Sequence, residues 1–209
     1  NSFSRDGFQF EAGIRALENA GIIFPMLKEL GIELDVVKSP VSVGVEDEIL
    51  HIKDIQSVHT YSDFLKKIYP ESSAEIDRVI KDIRKVMRLM DVLYGIENPN
   101  FKDMRQDRDY LFRELLPWLP RFLVTIGKIN RMNQPVEPYL KKMISNPSLR
   151  DIISQHFFKN TPAFFALSYF SLYLDYFYPR GGVGRLPAAM EQRFLDWGGE
   201  IARENSIAR

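Results

Sequence analysis

From Ile76 to Leu93 the residues Ile76, Val79, Ile80, Ile83, Val86, Met87, Met90 and Leu93 recur at intervals of three and four, a stripe sustained over about five helical turns. A helix of that length gains most of its stability by burying such a stripe, so the rest of the chain must supply an apolar partner surface. Lys81, Arg84, Lys85 and Arg88 fall on the opposite side and read as its solvated face. Ser72 or Ser73 can cap the start, and Glu75 complements the dipole in the first turn. Asn98–Pro99 ends the pattern.

The neighbouring segments follow the same period. Ser57 to Ile68 reads as a short amphipathic helix ended by Tyr69–Pro70. Arg105 to Ile126 reads as one helical region with Pro117 and Pro120 inside it, and Pro135 to Ser145 and Pro147 to Phe158 as shorter helices. Ala16 to Leu30 places Leu17, Ala20, Ile23, Phe24, Leu27 and Leu30 on one helix face. Pro25 kinks that helix or starts a second one, and Gly31 is its stop. Two stretches switch to period two. Phe3, Phe8 and Phe10 flank an Asp6–Gly7 turn and predict a β-hairpin leading into the loop Glu11 to Gly13. Val41, Val43 and Val45 lead through Glu46–Asp47 to Leu50 and Ile52, a second antiparallel hairpin with one buried face.

Thr161 to Tyr178 differs from the other helical segments. Phe164, Phe165, Tyr169, Phe170, Tyr173, Tyr176, Phe177 and Tyr178 would point all round a helix, which is then either a central core helix or the wall of an apolar cavity. Gly181–Gly182 is expected to stop it. A further helix restarts with Pro187 in its first turn, and Gly198–Gly199 precede a short strand from Glu200. Gly182, Gly184 and Pro187 imitate a dinucleotide fingerprint. That reading fails on two counts: the elbow is expected to follow a helix rather than a strand, and proline replaces the last glycine.

Composition removes several function classes. Lys and Arg total 28 and Asp and Glu total 28, so there is no basic footprint for nucleic acid. No cysteine is present, which fits a reducing compartment and excludes disulfides and thiolate chemistry. His51, His59 and His156 lack ligand spacing, so no metal site is expected. Asn1 to Phe10 has no signal-peptide apolar core, and Pro162 to Tyr178 is shorter than the roughly 20 residues that span a bilayer. Nucleophile-elbow, phosphate-loop and zinc-protease patterns are missing. Asp103, Asp107 and Asp109, like Glu46, Asp47 and Glu48, read as solvated carboxylates. The residues alone thus indicate an α+β, predominantly helical chain with an apolar interior and no self-contained active site.

Two motifs together carry a resemblance. SFSRDGFQFEAG, Ser2 to Gly13, resembles the segment of phytoene desaturase-like FAD-dependent oxidoreductases that follows their first flavin motifs, SF-x-x-DGF-x-FD-x-G. YPRGGVGRLPAAM, Tyr178 to Met190, with the following GGEI, resembles their later YP-x-GG-x-x-x-L-x-x-AL and GGEI pattern. The family includes carotenoid desaturases, carotenoid isomerases and retinol saturases and is related to the flavin amine oxidases. Glu11 stands where the family more often has aspartate. The resemblance implies a helical substrate-binding domain with a small antiparallel sheet and short flanking strands of a flavin domain. Residues 1–15 would be a sliver of that flavin domain, 16–178 the substrate-binding domain, and 179–209 a return segment. More of the flavin domain would precede and follow the chain, and this piece alone is expected not to bind FAD. By position, Phe10, Glu11, Gly13, Gly181 and Gly182 would lie along FAD. Phe165, Tyr169, Tyr173, Phe177 and Arg185 would line the substrate cavity. The implied reaction is hydride exchange between flavin and an apolar, carotenoid- or isoprenoid-like substrate. It is set in a cytoplasmic or peripherally membrane-associated protein, with no catalytic acid or base assigned. The competing readings are a stand-alone module that binds an apolar ligand or a protein partner, and a flavin amine oxidase-type enzyme.

Overall fold

The computed structural model describes residues 2–13 and 16–203. In chain order the strands and helices are β1 (Ser2–Arg5), β2 (Phe8–Glu11), β3 (Leu17–Glu18), α1 (Ile23–Glu29), β4 (Val36–Lys38), β5 (Val41–Val45), β6 (Glu48–Ile52), α2 (Ser57–Ile68) and α3 (Ser73–Leu93). They continue with α4 (Arg108–Tyr110), α5 (Leu116–Asn130), α6 (Val136–Lys141), α7 (Pro147–Ser154), α8 (Ala163–Ala166), α9 (Tyr169–Leu174), β7 (Tyr176–Pro179) and α10 (Arg185–Asp196). The fold is α+β and predominantly helical, with small antiparallel sheets. The chain forms two compact units, one from Asn1–Ser39 with Tyr176–Arg209 and the other from Pro40–Asp175. These limits differ from residues 15 and 178 because β3 and β4 both pair with β7 and draw the whole of the first 39 residues into its unit.

In the first unit, Arg5 pairs with Phe8 across the expected Asp6–Gly7 turn, whose φ values of 52° and 80° are what a tight hairpin needs. Phe3 stacks on Phe10 with ring centroids 5.2 Å apart. The second sheet has the order β3-β7-β4, antiparallel throughout. The expected helix over Ala16–Leu30 is therefore shortened at its start. Leu17 pairs with Phe177, Gly21 adopts φ 70°, and only Ile23–Glu29 is helical, with Pro25 in the first turn. Gly31 stops it as expected: its N–H donates to Lys28 O and that of Ile32 to Leu27 O, at φ 63° for the glycine.

In the second unit, β5 and β6 form the expected hairpin, with Val43, Leu50 and Ile52 buried. Asp54 Oδ1 accepts from the Gln56 and Ser57 N–H groups at the start of α2. The α3 stripe is buried from Ile76 to Met90, while Leu93 is half-buried. Ser72 occupies the cap position of α3 without a side-chain cap bond, and Glu75 accepts from the Ser145 N–H at 3.1 Å. The proline-containing region after Asp107 is helical to Asn130, but Leu111–Leu115 widens into a π-helical turn just before Pro117. Proline has no N–H to offer a carbonyl one turn back and crowds it sterically, and a widened turn relieves both faults.

The aromatic run is not the single helix expected. It breaks into α8 and α9 around Leu167–Ser168, where the buried Ser168 Oγ donates to Phe165 O at 2.7 Å. Its last residues form β7, because Val36–Lys38 on one side and Leu17–Glu18 on the other offer ladder partners to β-favouring aromatics. The Gly181–Gly182 elbow accordingly stops a strand rather than a helix. Gly198, at φ 81°, ends α10 as expected, with the Gly199 N–H donating to Phe194 O. Residues 200–203 form no strand, and the remainder of that expected strand lies outside the described residues.

Candidate functional site

The geometry that gathers both sequence motifs lies in the first unit. Strand β2 ends at Glu11, whose Oε1 accepts from the Val183 N–H at 3.0 Å and from the Tyr178 hydroxyl at 3.2 Å. Gly181 and Gly182 make this approach possible, with φ values of 89° and 98°. A Cβ on Gly182 would stand 2.8 Å from Glu11 Oε1, so the carboxylate fills the space that only glycine leaves. The other oxygen, Oε2, is buried without a hydrogen-bond partner. Desolvation, and then the bond to Glu11, pushes the Tyr178 phenol up from its ordinary value.

Beside the elbow lies a cleft of about 590 Å³ lined by Glu33, Asp35, Gly181, Arg180, Arg185 and Ala188. Arg180 Nε donates to Asp35 Oδ2 at 3.0 Å and the Arg180 N–H to Asp35 O, which tie the mouth of the cleft to the approach to β4. The Arg185 side chain runs past Gly181, and its N–H donates to Gly182 O at 3.1 Å at the start of α10. Glu11, Gly181, Gly182 and Arg185 are thus brought together. Phe10 is exposed on the hairpin, and a Cβ on Gly13 would meet nothing. Phe177 packs edge-to-face on Phe24 at 5.4 Å within the same unit.

The other aromatic candidates, Phe165, Tyr169 and Tyr173, belong to the second unit. Phe165 is exposed and meets Phe157 edge-on. Tyr169 is fully buried, stacked on the His156 ring at 4.3 Å and packed against Tyr61 and Phe170. Tyr173 shares a 2.8 Å hydrogen bond with His156 Nδ1. The Tyr61 and Tyr169 hydroxyls and His156 Nε2 are buried without a partner in hydrogen-bond geometry. Burial raises both phenols and lowers His156 to about 4. Tyr169 is therefore a core residue, closed to solvent in this structure.

Sequence reasoning did not single out Tyr178, Val183, Asp35, Tyr61 or His156 as parts of these clusters. Only Tyr178 and Val183 had a signal, since both stand within the second motif. The fingerprint comparison also changes its ground, because the elbow does follow a strand. That strand is the centre of an antiparallel sheet, Pro187 still replaces the last glycine, and Glu11 already occupies the Val183 N–H. His51 bonds Ser42 and His59 bonds Arg84, and no group of three His, Asp or Glu side chains among the described residues could hold a metal ion. No helix among the described residues is long and apolar enough to cross a membrane. No known family model matches the chain, and no curated protein matches it.

Proposed function

We propose that this chain is the substrate-binding part of an FAD-dependent oxidoreductase, of the phytoene desaturase-like kind, acting by hydride exchange on an apolar, isoprenoid-like substrate. The observation that carries the reading is the Glu11 carboxylate. It joins the first motif to the second across 172 positions, and the helical unit is inserted between them as the resemblance implies. The first unit supports it further. Among its described residues only Leu17 and Leu27 are large apolar side chains with less than a tenth of their surface exposed, whereas Phe8, Phe10, Phe194 and Trp197 are exposed. An apolar surface with so little core of its own fits a piece that packs on a larger flavin domain.

The residues fit one side of FAD. Glu11 Oε2 is a buried acceptor without a partner, and the ribityl and ring portions of FAD carry O–H and N–H donors. Glu11 with Gly181 and Gly182 would hold that side, and Arg185 would stand at the cleft. FAD, when bound, supplies the hydride acceptor or donor. The chain's own part is to fix the elbow, to keep the Glu11 carboxylate in place through Val183 and Tyr178, and to exclude water with apolar surface. The elbow does not offer the Val183 N–H to a phosphate, so this chain alone is expected to bind FAD weakly or not at all. Two measurements test the reading. Visible absorbance of the natural protein should show bound flavin, and its lack would overturn the proposal. Titration of the isolated chain with FAD should show no tight binding, and micromolar affinity or better would overturn the assignment of the phosphate site to residues outside it.

A further inference from the structure

The cationic side of α3 is only partly a solvated face. Asp77, Lys81, Arg84 and Arg88 follow one another at four, three and four residues, which sets them in a single row at about 100° per residue. Across from that row α2 presents His59, Ser62, Asp63 and Lys66, also at helical spacing. The two rows wall a cleft of about 450 Å³, whose deepest residues, Ile80 and Ser62, are 3% and 6% exposed. Lys85, on the same side of α3, does not line it.

The charges of the cleft do not cancel. Four cations, Lys66, Lys81, Arg84 and Arg88, meet two carboxylates, Asp63 and Asp77, in a chain whose formal net charge is zero. Lys66 Nζ donates to Asp77 Oδ1 at 2.6 Å. Arg84 Nη2 donates to His59 Nδ1 at 2.8 Å, so its guanidinium is answered by a ring nitrogen rather than by a carboxylate. The side chains of Lys81 and Arg88 have neither an ion pair nor a hydrogen bond among the described residues. Like charges three and four residues apart on one helix repel, and a cleft with an excess of one sign concentrates that field on whatever enters it.

We infer that the cleft between α2 and α3 binds the phosphate group of a small soluble molecule, a phosphomonoester or a diphosphate. A phosphate dianion cancels the excess of two positive charges. Its oxygens match the forked N–H donors of Arg84 and Arg88, and the Ser62 hydroxyl adds a neutral donor at the bottom of the cleft. A single carboxylate brings one charge and two oxygens, which leaves half of that excess unanswered. The recess favours a free solute over a flat anionic surface, which would meet the exposed Lys81 and Arg88 before it reached Ser62. The inference is independent of the flavin reading, since every one of these residues lies in the second unit and none belongs to the elbow.

Inorganic pyrophosphate is the probe, titrated calorimetrically into the whole chain in sodium chloride of about 0.1 M. It should bind once per chain with a Kd below about 1 mM. The denaturation midpoint should rise with pyrophosphate and not with sodium chloride of equal ionic strength. Arg84→Gln with Arg88→Gln should weaken binding at least about tenfold, whereas Lys85→Gln, on the same helix but outside the cleft, should leave it unchanged. Circular dichroism checks the fold. If the arginine pair unfolds, Arg88→Gln alone decides, since that side chain is exposed and holds no bond whose loss would unfold the helix. No saturable binding, or a loss as large for Lys85→Gln as for the arginine variants, would overturn the proposal. So would binding to phosphatidylserine vesicles without binding of pyrophosphate, or tighter binding of a glutamate-rich peptide, in favour of a lipid surface or an acidic protein partner.

Discussion

Glu11 and His156 are placed so that a single substitution reads out the role of each. Removing the Glu11 carboxylate leaves the Val183 N–H and the Tyr178 hydroxyl without an acceptor, which typically costs about 2 kcal/mol. Glu11→Ala should lower the denaturation midpoint by that order, and Glu11→Gln, which keeps one acceptor oxygen, by less. Gly182→Ala should cost at least about 1 kcal/mol, since φ 98° and the 2.8 Å approach to Glu11 both oppose a Cβ. Equal midpoints for all three variants and the parent would remove the carboxylate–elbow contact from the account. His156 gives a pH signature. Burial holds it at about 4, below the 6.5 of an unfolded histidine, and the rings of Tyr61, Tyr169 and Tyr173 surround it. Between those values the unfolded chain binds a proton that the folded one refuses. Its contribution is therefore complete above pH 6.5 and is lost as pH falls toward 4, by an amount on the order of 3 kcal/mol. Denaturant midpoints at the two ends of that window should diverge strongly for the parent and less for His156→Phe. At this scale the sequence showed Glu11 only through the resemblance. The buried partners of His156 could not be read, because Tyr61 lies far away in the chain.

At the scale of elements, legibility followed the distance between partners. The hairpin turns at Asp6–Gly7 and Glu46–Asp47 and the α3 stripe are written in adjacent residues, and each was readable. Strand β7 was not, since Tyr176–Pro179 becomes a strand by pairing with Val36–Lys38, well over a hundred residues earlier, and its aromatics suit either state locally. The carboxyl end of α1 shows the same division. Gly31 announced the stop, but nothing announced that Arg193 of α10 completes it, with Nε donating to Leu30 O at 2.5 Å and Nη2 to Gly31 O at 2.8 Å. Charged donors on terminal carbonyls stabilise a helix end. Arg193→Met keeps much of the apolar stem and removes both bonds. Amide exchange at Gly31 and Ile32 should then speed up about tenfold, corresponding to roughly 1.4 kcal/mol of local stability. Unchanged exchange would show that the Gly31 turn holds α1 without α10.

On the scale of the whole chain, the two units differ in how much interior each possesses. The second contains nearly all of the buried apolar residues, from Val43 on β5 through Tyr61 and Leu65 of α2 and the α3 stripe to Leu140, Leu149, Leu167 and Phe170. Among its described residues the first contains Leu17 and Leu27. Because apolar burial is the main term that offsets chain entropy, a unit with two such residues has little to hold it, whereas one with a continuous core can stand alone. The break points favour excision as well. The Ser39 N–H donates to Tyr176 O at 2.9 Å, so the chain leaves and re-enters the first unit at adjacent positions, and Pro40–Asp175 is a continuous insertion. Pro40–Asp175 expressed alone should therefore melt as one cooperative transition with a strong helical signal. The complementary protein, with Ser39 joined to Tyr176 through a few glycines, should show no cooperative melt. A cooperative transition in that joined protein would mean that its sheets and α10 suffice without further apolar cover. That result would remove the support that its exposed phenylalanines and Trp197 lend to the proposed larger flavin domain.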